Sequence, residues 1–301
     1  MADEIHPPLR LGPDQHEDLP LDPAWPGAVW HFRAGPLRWP RHRHHELEFN
    51  LLLRGHARYL IGRRRLDLSP GCLAWFPSDQ EHVLLDRSAD CSFWIAVFRP
   101  ALVRRCAAAL PAESGNGDGA VRHIAAPWQL LLARSCASLH SAPRPGLRHP
   151  GCATASPRLA ASGLEWLLRC AGQAFIEAAE GGARHVHPAV AKAVQLLQGS
   201  SGTIDGRELA LRCGLGRSGL SRRFRQDTGL SLTEHRNRVR LERALTLVQG
   251  GHEPNLLHAA LAAGFGSYMQ FHRVFRARFG VSPREWLAQD ATGVGHAGDR
   301  S

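Results

Sequence analysis

From Val29 to Phe98 the apolar residues come in short bursts: AVWHF, ELEFNLLLRG, ARYLIG, CLAWF, HVLL and CSFWIAVF. Gly, Pro and Asp stand between them, and no ten-residue helical period interrupts the series. Short apolar or alternating runs bounded by turn residues predict an all-β sandwich or barrel over 27–100. After Pro100 the period lengthens. ALVRRCAAAL and PWQLLLARSCASL read as helices, and SAPRPGLRHPGCATASPR at 141–158 as a loop or linker. GLEWLLRCAGQAFIEAAE then places Leu164, Leu167, Leu168, Ala171 and Phe175 on one stripe, which predicts an amphipathic helix over 164–179. That helix closes a helical and linker region, 101–182. From His187 to Gln289 the chain reads as short helices with glycine-containing turns. Residues 1–26, with prolines at 7, 8, 13, 20, 23 and 26, read as a flexible arm, and 290–301 as a flexible tail. The fold class expected is α+β: a β-barrel followed by an all-α domain.

The segment GFGSYMQFHRVFRARFGVSP, 264–283, carries Phe271, Phe275 and Phe279 at every fourth position. Residues four apart share one helix face, so Phe271 and Phe275 anchor a helix to a core. The other side shows Tyr268, Met269, His272, Arg273 and Arg276, with Ser267 at the start. Upstream, LLHAALAAG is a short helix, and Gly264 supplies a turn where a positive φ is cheap. Helix, glycine turn, helix with a polar outer face is a helix-turn-helix, whose second helix can enter a major groove. RELALRCGLGRSGLSRRFRQDTGLS, 207–231, repeats the arrangement. There Leu220 and Phe224 are the anchors, and Arg217, Ser218, Ser221, Arg222 and Arg225 face outward. Phe224 and Phe275, Arg222 and Arg273, Gly229 and Gly280, and Ser231 and Ser282 are each 51 residues apart. Between the units, SLTEHRNRVRLERALTLVQG can make one connecting helix. Two recognition helices at a fixed spacing suit adjacent major-groove entries about 34 Å apart on one duplex face.

This region resembles the C-terminal DNA-binding domain of the AraC/XylS family of bacterial transcription regulators. LALRCGLGRSGLSRRFRQDTGLS resembles the first helix-turn-helix and ALAAGFGSYMQFHRVFRARFGVSP the family signature. Gly216 stands where the family usually has a capping serine, a change worth only a few tenths of a kcal/mol. The resemblance implies that the eleven outward residues named above meet DNA. Arg217, Arg222 and Arg273 are the best base readers among them, since arginine grips guanine O6 and N7 bidentately.

RHRHHELEFNLLLRG carries a second pattern. His42, His44 and Glu48 share one face of a period-two strand, with Leu47, Phe49, Leu51 and Leu53 on the other. GCLAWFPSDQEH ends in His82, which a neighbouring strand can bring close. Three imidazoles and a carboxylate suit one divalent first-row ion such as Fe, Mn, Ni, Co or Zn. Equally, the histidines can line a metal-free pocket or pair with Glu48. His45 and Glu46 are adjacent and could replace the named ligands if the register slips. HxHxxxE followed by Gly55, and then Gly71, Pro77 and His82, resembles the two cupin motifs, with Asp79 where glycine is common and Asp86 where asparagine is common. AraC/XylS regulators typically carry such a cupin-like effector domain, so the resemblance implies a barrel that senses a small molecule or metal.

Charge sharpens this reading. The chain has 301 residues and a net charge of +10. Between Gly199 and Ala288 stand 14 arginines against 7 acids, an excess of seven in under a third of the chain. Clustered positive charge fits nucleic acid. Seven dispersed cysteines without a CxxC pair exclude a disulfide framework or zinc ribbon. No run of 18 apolar residues and no signal-like N-terminus are present, so a cytoplasmic protein with no membrane contact is expected. The expectation is a regulator and not an enzyme. Its partners would be double-stranded promoter DNA, a small-molecule effector, a second copy of the chain (through helix 164–179) and RNA polymerase. The alternative is a metal-dependent cupin oxygenase or isomerase fused to a DNA reader.

Overall fold

A computed structural model describes residues 16–19, 21–33, 42–111, 121–140, 157–179, 184–249 and 255–292. Of the loop expected over 141–158, residues 141–156 lie outside them and Pro157 and Arg158 instead open a helix, while the first fifteen residues of the arm and most of the tail also lie outside. The described residues form two compact units that divide between His185 and Val186.

The first unit has nine strands: β1 Gly27–Arg33, β2 Leu47–Arg54, β3 Ala57–Ile61, β4 Arg64–Leu68, β5 Cys72–Phe76, β6 Val83–Arg87, β7 Ser92–Phe98, β8 Val121–His123 and β9 Arg184–His185. They form two antiparallel sheets, ordered β1-β7-β2-β5-β8 and β6-β3-β4-β9. Among the described residues the sheets do not close into a continuous barrel. They are stitched at one corner by a two-way backbone pairing of His42 with His82, at 3.2 and 3.1 Å.

β2 shows why this unit is double-layered. Residues 47–52 are buried on both faces. Leu47, Phe49 and Leu51 pack into an apolar cluster with helices α1 Pro100–Cys106, α2 Ala126–Leu139 and α3 Pro157–Glu177. Glu48 and Asn50 point the other way, toward the second sheet, where Asn50 Nδ2 lies 3.2 Å from the Tyr59 hydroxyl. The apolar stripe of α3 goes into that same cluster. Leu164, Leu167 and Leu168 are buried in the chain's own core, so they do not offer the surface contact expected of them. The face of α3 that carries Leu159 and Trp166 remains exposed.

The second unit contains α4 Pro188–Gly199, α5 Gly206–Arg212, α6 Arg217–Thr228, α7 Leu232–Gln249, α8 Leu256–Ala262, α9 Tyr268–Phe279 and α10 Pro283–Thr292. α10 runs into the segment read as tail. Each recognition helix stops at a left-handed glycine, Gly229 at φ 77° and Gly280 at φ 76°. A reciprocal capping box comes after each. Ser231 and Glu234 exchange bonds of 2.7 and 3.1 Å, and Ser282 and Glu285 bonds of 2.7 and 3.2 Å. The serines were legible in the repeat, and the glutamates extend it.

The repeat is not uniform, however. The first helices of the two units are capped by Asp205 and Asn255, only 50 residues apart. The positive-φ glycines Gly214 and Gly264 share that offset. One extra residue therefore lies in the second turn, between Phe265 and the Ser267 cap of α9. The 51-residue period belongs to the recognition helices, their glycine stops and the capping boxes.

Candidate functional site

Two sites emerge, one in each unit. In the second, Leu220 and Phe224 of α6 and Phe271 and Phe275 of α9 are buried, as the four-residue spacing requires. The opposite faces are open. Arg217, Ser218, Ser221, Arg222 and Arg225 are exposed on α6, as are Ser267, Met269, Arg273 and Arg276 on or beside α9. Tyr268 and His272 are half-buried. Ser267 also caps α9, its hydroxyl accepting from the Gln270 amide at 3.2 Å. Gly216, at the equivalent place on α6, makes no side-chain cap. Elsewhere in this unit arginines find acids: Arg212 pairs with Glu208 at 2.7 Å and Arg223 with Asp227 at 3.1 Å. Arg222, Arg225, Arg273 and Arg276 have no such ion pair among the described residues. Arg225 and Arg276 feel only the longer-range charge of Glu234 and Glu285. Four exposed guanidiniums in matched positions on two helices favour an anion.

The other site lies at the stitched corner of the sheets. The backbone pairing of His42 with His82 brings their rings to 4.4 Å, and one ligand atom each from His42, His44 and His82 lie within 4.8 Å of one another. All three side chains are buried. The Nδ1 atoms of His44 and His82 sit 3.1 and 2.9 Å from the carbonyls of Glu46 and Gln80. A carbonyl only accepts, so both Nδ1 atoms carry hydrogen and each Nε2 is directed to the cluster. Backbone anchoring of the distal nitrogen is how metal-ligating histidines are oriented. The buried triad can thus bind a metal.

Glu48 stands beside the triad. Its Oε2 is 2.9 Å from His44 Nε2, its Oε1 is 4.0 Å from His82 Nε2, and Asn50 donates to Oε1 at 2.8 Å. Burial would raise this carboxyl. The hydrogen bond from His44 and the charges of His82, His44 and His42 outweigh it and hold the group down to about 2. For His44, burial acts to lower and the bond and charge of Glu48 to raise; the net direction is up. Burial holds His82 below its ordinary value.

Sequence reasoning missed Glu17. It lies in the stretch read as a loose arm, yet it is buried. Its amide donates to the Arg43 carbonyl at 2.8 Å, and its Oε2 is 3.4 Å from His42 Nε2. Burial pushes its carboxyl up to about 8. No periodicity marks a single acid in a proline-rich segment.

Comparisons with known proteins match stretches of both units. A family model described as "AraC-like ligand binding domain" matches residues 33–145, and one described as "Helix-turn-helix domain" matches residues 209–289. The chain belongs to the AraC family of transcriptional regulators, with a ligand-binding domain followed by a helix-turn-helix DNA-binding domain. That family is non-enzymatic, which sets aside the oxygenase or isomerase alternative. The chain is 38% identical over 66 residues to the HTH-type transcriptional activator RhaS of Escherichia fergusonii. That match spans 22% of this chain and 23% of the relative. Among solved structures, ToxT of Vibrio cholerae is 12% identical, over 87% of this chain and 98% of that one, with a TM-score of 0.34. An AraC-type regulator from Chromobacterium violaceum is 30% identical over 35% of this chain and 93% of its own, with a TM-score of 0.31. No helix among the described residues is long and apolar enough to cross a membrane.

Proposed function

We propose that this chain is a sequence-specific regulator that grips one operator through α6 and α9 and responds to an effector or divalent ion bound at the buried histidine corner. The observation that carries the reading is the two pairs of exposed arginines at matched positions, Arg222 with Arg273 and Arg225 with Arg276, none of them in a close ion pair among the described residues. Arg217, Arg222 and Arg273 read bases; Arg225 and Arg276 grip phosphate. Arg273→Ala should weaken the specific site by about 1–3 kcal/mol and relax one base position. Arg276→Ala should weaken all sequences alike and flatten the salt dependence by about one unit of slope. Binding-site selection with each variant checks both, and an unchanged base preference in Arg273→Ala would remove that role.

At the corner, His42, His44 and His82 with Glu48 are the ligands proposed for one divalent first-row ion. Such an ion would supply a fixed positive charge that the three imidazoles and the carboxylate are already oriented to meet. The chain acts as a homodimer in the cytoplasm, and Leu159 and Trp166 of α3, seven residues apart and exposed, are the contact in place of the buried leucines. Trp166→Ala should shift the protein toward monomer in sedimentation, and an unchanged mass would discard this contact. RNA polymerase is the downstream partner. In run-off transcription from the selected operator, an unaltered transcript level would argue against it.

A further inference from the structure

A second cluster of ligating side chains lies at the same corner, facing solvent. One ligand atom each from His16, His45 and Asp79 lie within 4.8 Å of one another. The His45 Nδ1 to Asp79 Oδ1 distance is 2.8 Å, and the His16 and His45 rings are 4.2 Å apart. The cause is local geometry. At residues 16–17 the backbone is bridged and neighbouring side chains point to opposite sides, and at His45 a bend in the chain turns its side chain out to solvent. His44 and His45 are consecutive, as are His16 and Glu17. Each pair sends one side chain inward, His44 and Glu17, and one outward, His45 and His16. Backbone bonds fix both segments: the Glu17 amide to the Arg43 carbonyl, and the Asp79 amide to the His44 carbonyl, each at 2.8 Å.

One further feature points to a ligand. The Nε2 of His16 is buried and lacks a hydrogen-bond partner among the described residues. His45 and Asp79 are more than half exposed, which leaves water to complete a coordination shell.

We infer that His16, His45 and Asp79 form a second divalent-metal site, which clasps the N-terminal segment to the ligand-binding domain. Two imidazoles and one carboxylate select a borderline ion such as Zn²⁺ or Ni²⁺ over Mg²⁺ or Ca²⁺, which demand oxygen. The three ligands come from three separate stretches of chain. Binding therefore cross-links residue 16 to the lead-in of β2 and to the loop after β5. Occupancy also holds Glu17, the next residue, against the buried triad. The inference does not depend on whether the inner triad binds metal.

The test is a zinc titration to saturation of the full chain beside His45→Ala and Asp79→Ala, both at exposed positions. Wild type should bind one equivalent more than either variant, whatever the inner site contributes. Hydrogen exchange of the Glu17 amide should slow on adding zinc in wild type by a larger factor than in the variants. Equal stoichiometry in all three proteins would overturn the site. A difference of one equivalent with equal slowing of Glu17 would overturn the clasp.

Discussion

Phe275→Ala should cost the second unit about 3–5 kcal/mol, the range for truncating a fully buried aromatic side chain. Phe275 has no exposed surface, and its ring centroid lies 5.6 Å from Phe271, 4.4 Å from Phe279 and 6.0 Å from Trp286. Leu241, Ala244 and Leu245 of α7, Ala260 of α8 and Ala263, which caps its C-terminal end, belong to the same cluster. One ring therefore joins the connecting helix, both helices of the second helix-turn-helix and α10. Its removal opens a cavity that four rigid elements cannot collapse together. A domain has only about 5–15 kcal/mol in hand, so the loss is a large share of the total. Thermal unfolding followed by helical circular dichroism should show the second unit melting earlier. DNA affinity should fall although no DNA-facing residue has changed. A shift of less than about 1 kcal/mol would mean that the ring is not at the centre of the core.

This dependence was legible because phenylalanines four apart have one physical reading. The alternation of β2 was equally plain for Glu48 against Leu47, Phe49 and Leu51, but His42 and His44, read onto the same strand face, lie ahead of the strand and beyond a bend at 45–46. The sequence reading failed where a pattern names a face but not its partner. The stripe of α3 fits a second copy of the chain as well as it fits a sheet, and here the sheet takes it. Glu17 was invisible for a different reason. It is held by a backbone pairing with Arg43, a residue distant in sequence, which leaves no local signature. Asp79 was seen only as a departure from glycine. The extra residue in the second turn escaped notice because the anchors on both recognition helices keep a common period past it. The histidine triad was legible as a set of ligand types, but the joining of the sheets at His42 and His82 depends on tertiary pairing.

His44→Ala carries the other large effect, and its pH dependence separates electrostatics from lost packing. In the wild-type pair the Glu48 carboxyl is depressed to about 2 and His44 is raised. A depressed carboxyl contributes stability that is complete above its ordinary value of 4.5 and is lost as pH falls toward 2. A raised imidazole contributes stability that is complete below its ordinary value of 6.5 and is lost as pH rises through its folded value. The pair is therefore strongest between those ordinary values. There, alanine at position 44 takes from the buried Glu48 its closest charge partner and leaves it the Asn50 hydrogen bond and the more distant His82, at a cost of up to about 3–5 kcal/mol. The stability gap between wild type and variant should peak in that window and narrow on either side; a gap independent of pH would mean the change acts through a cavity alone. A divalent ion alters only the alkaline side, because it takes the place of the proton on His44 Nε2. With the ion bound, the wild type should keep its advantage as pH rises. Metal content by mass spectrometry should fall by one equivalent in His44→Ala. If the alkaline limb is the same with and without added zinc, and metal content is equal in both proteins, the triad is a metal-free pocket and the effector is an organic molecule.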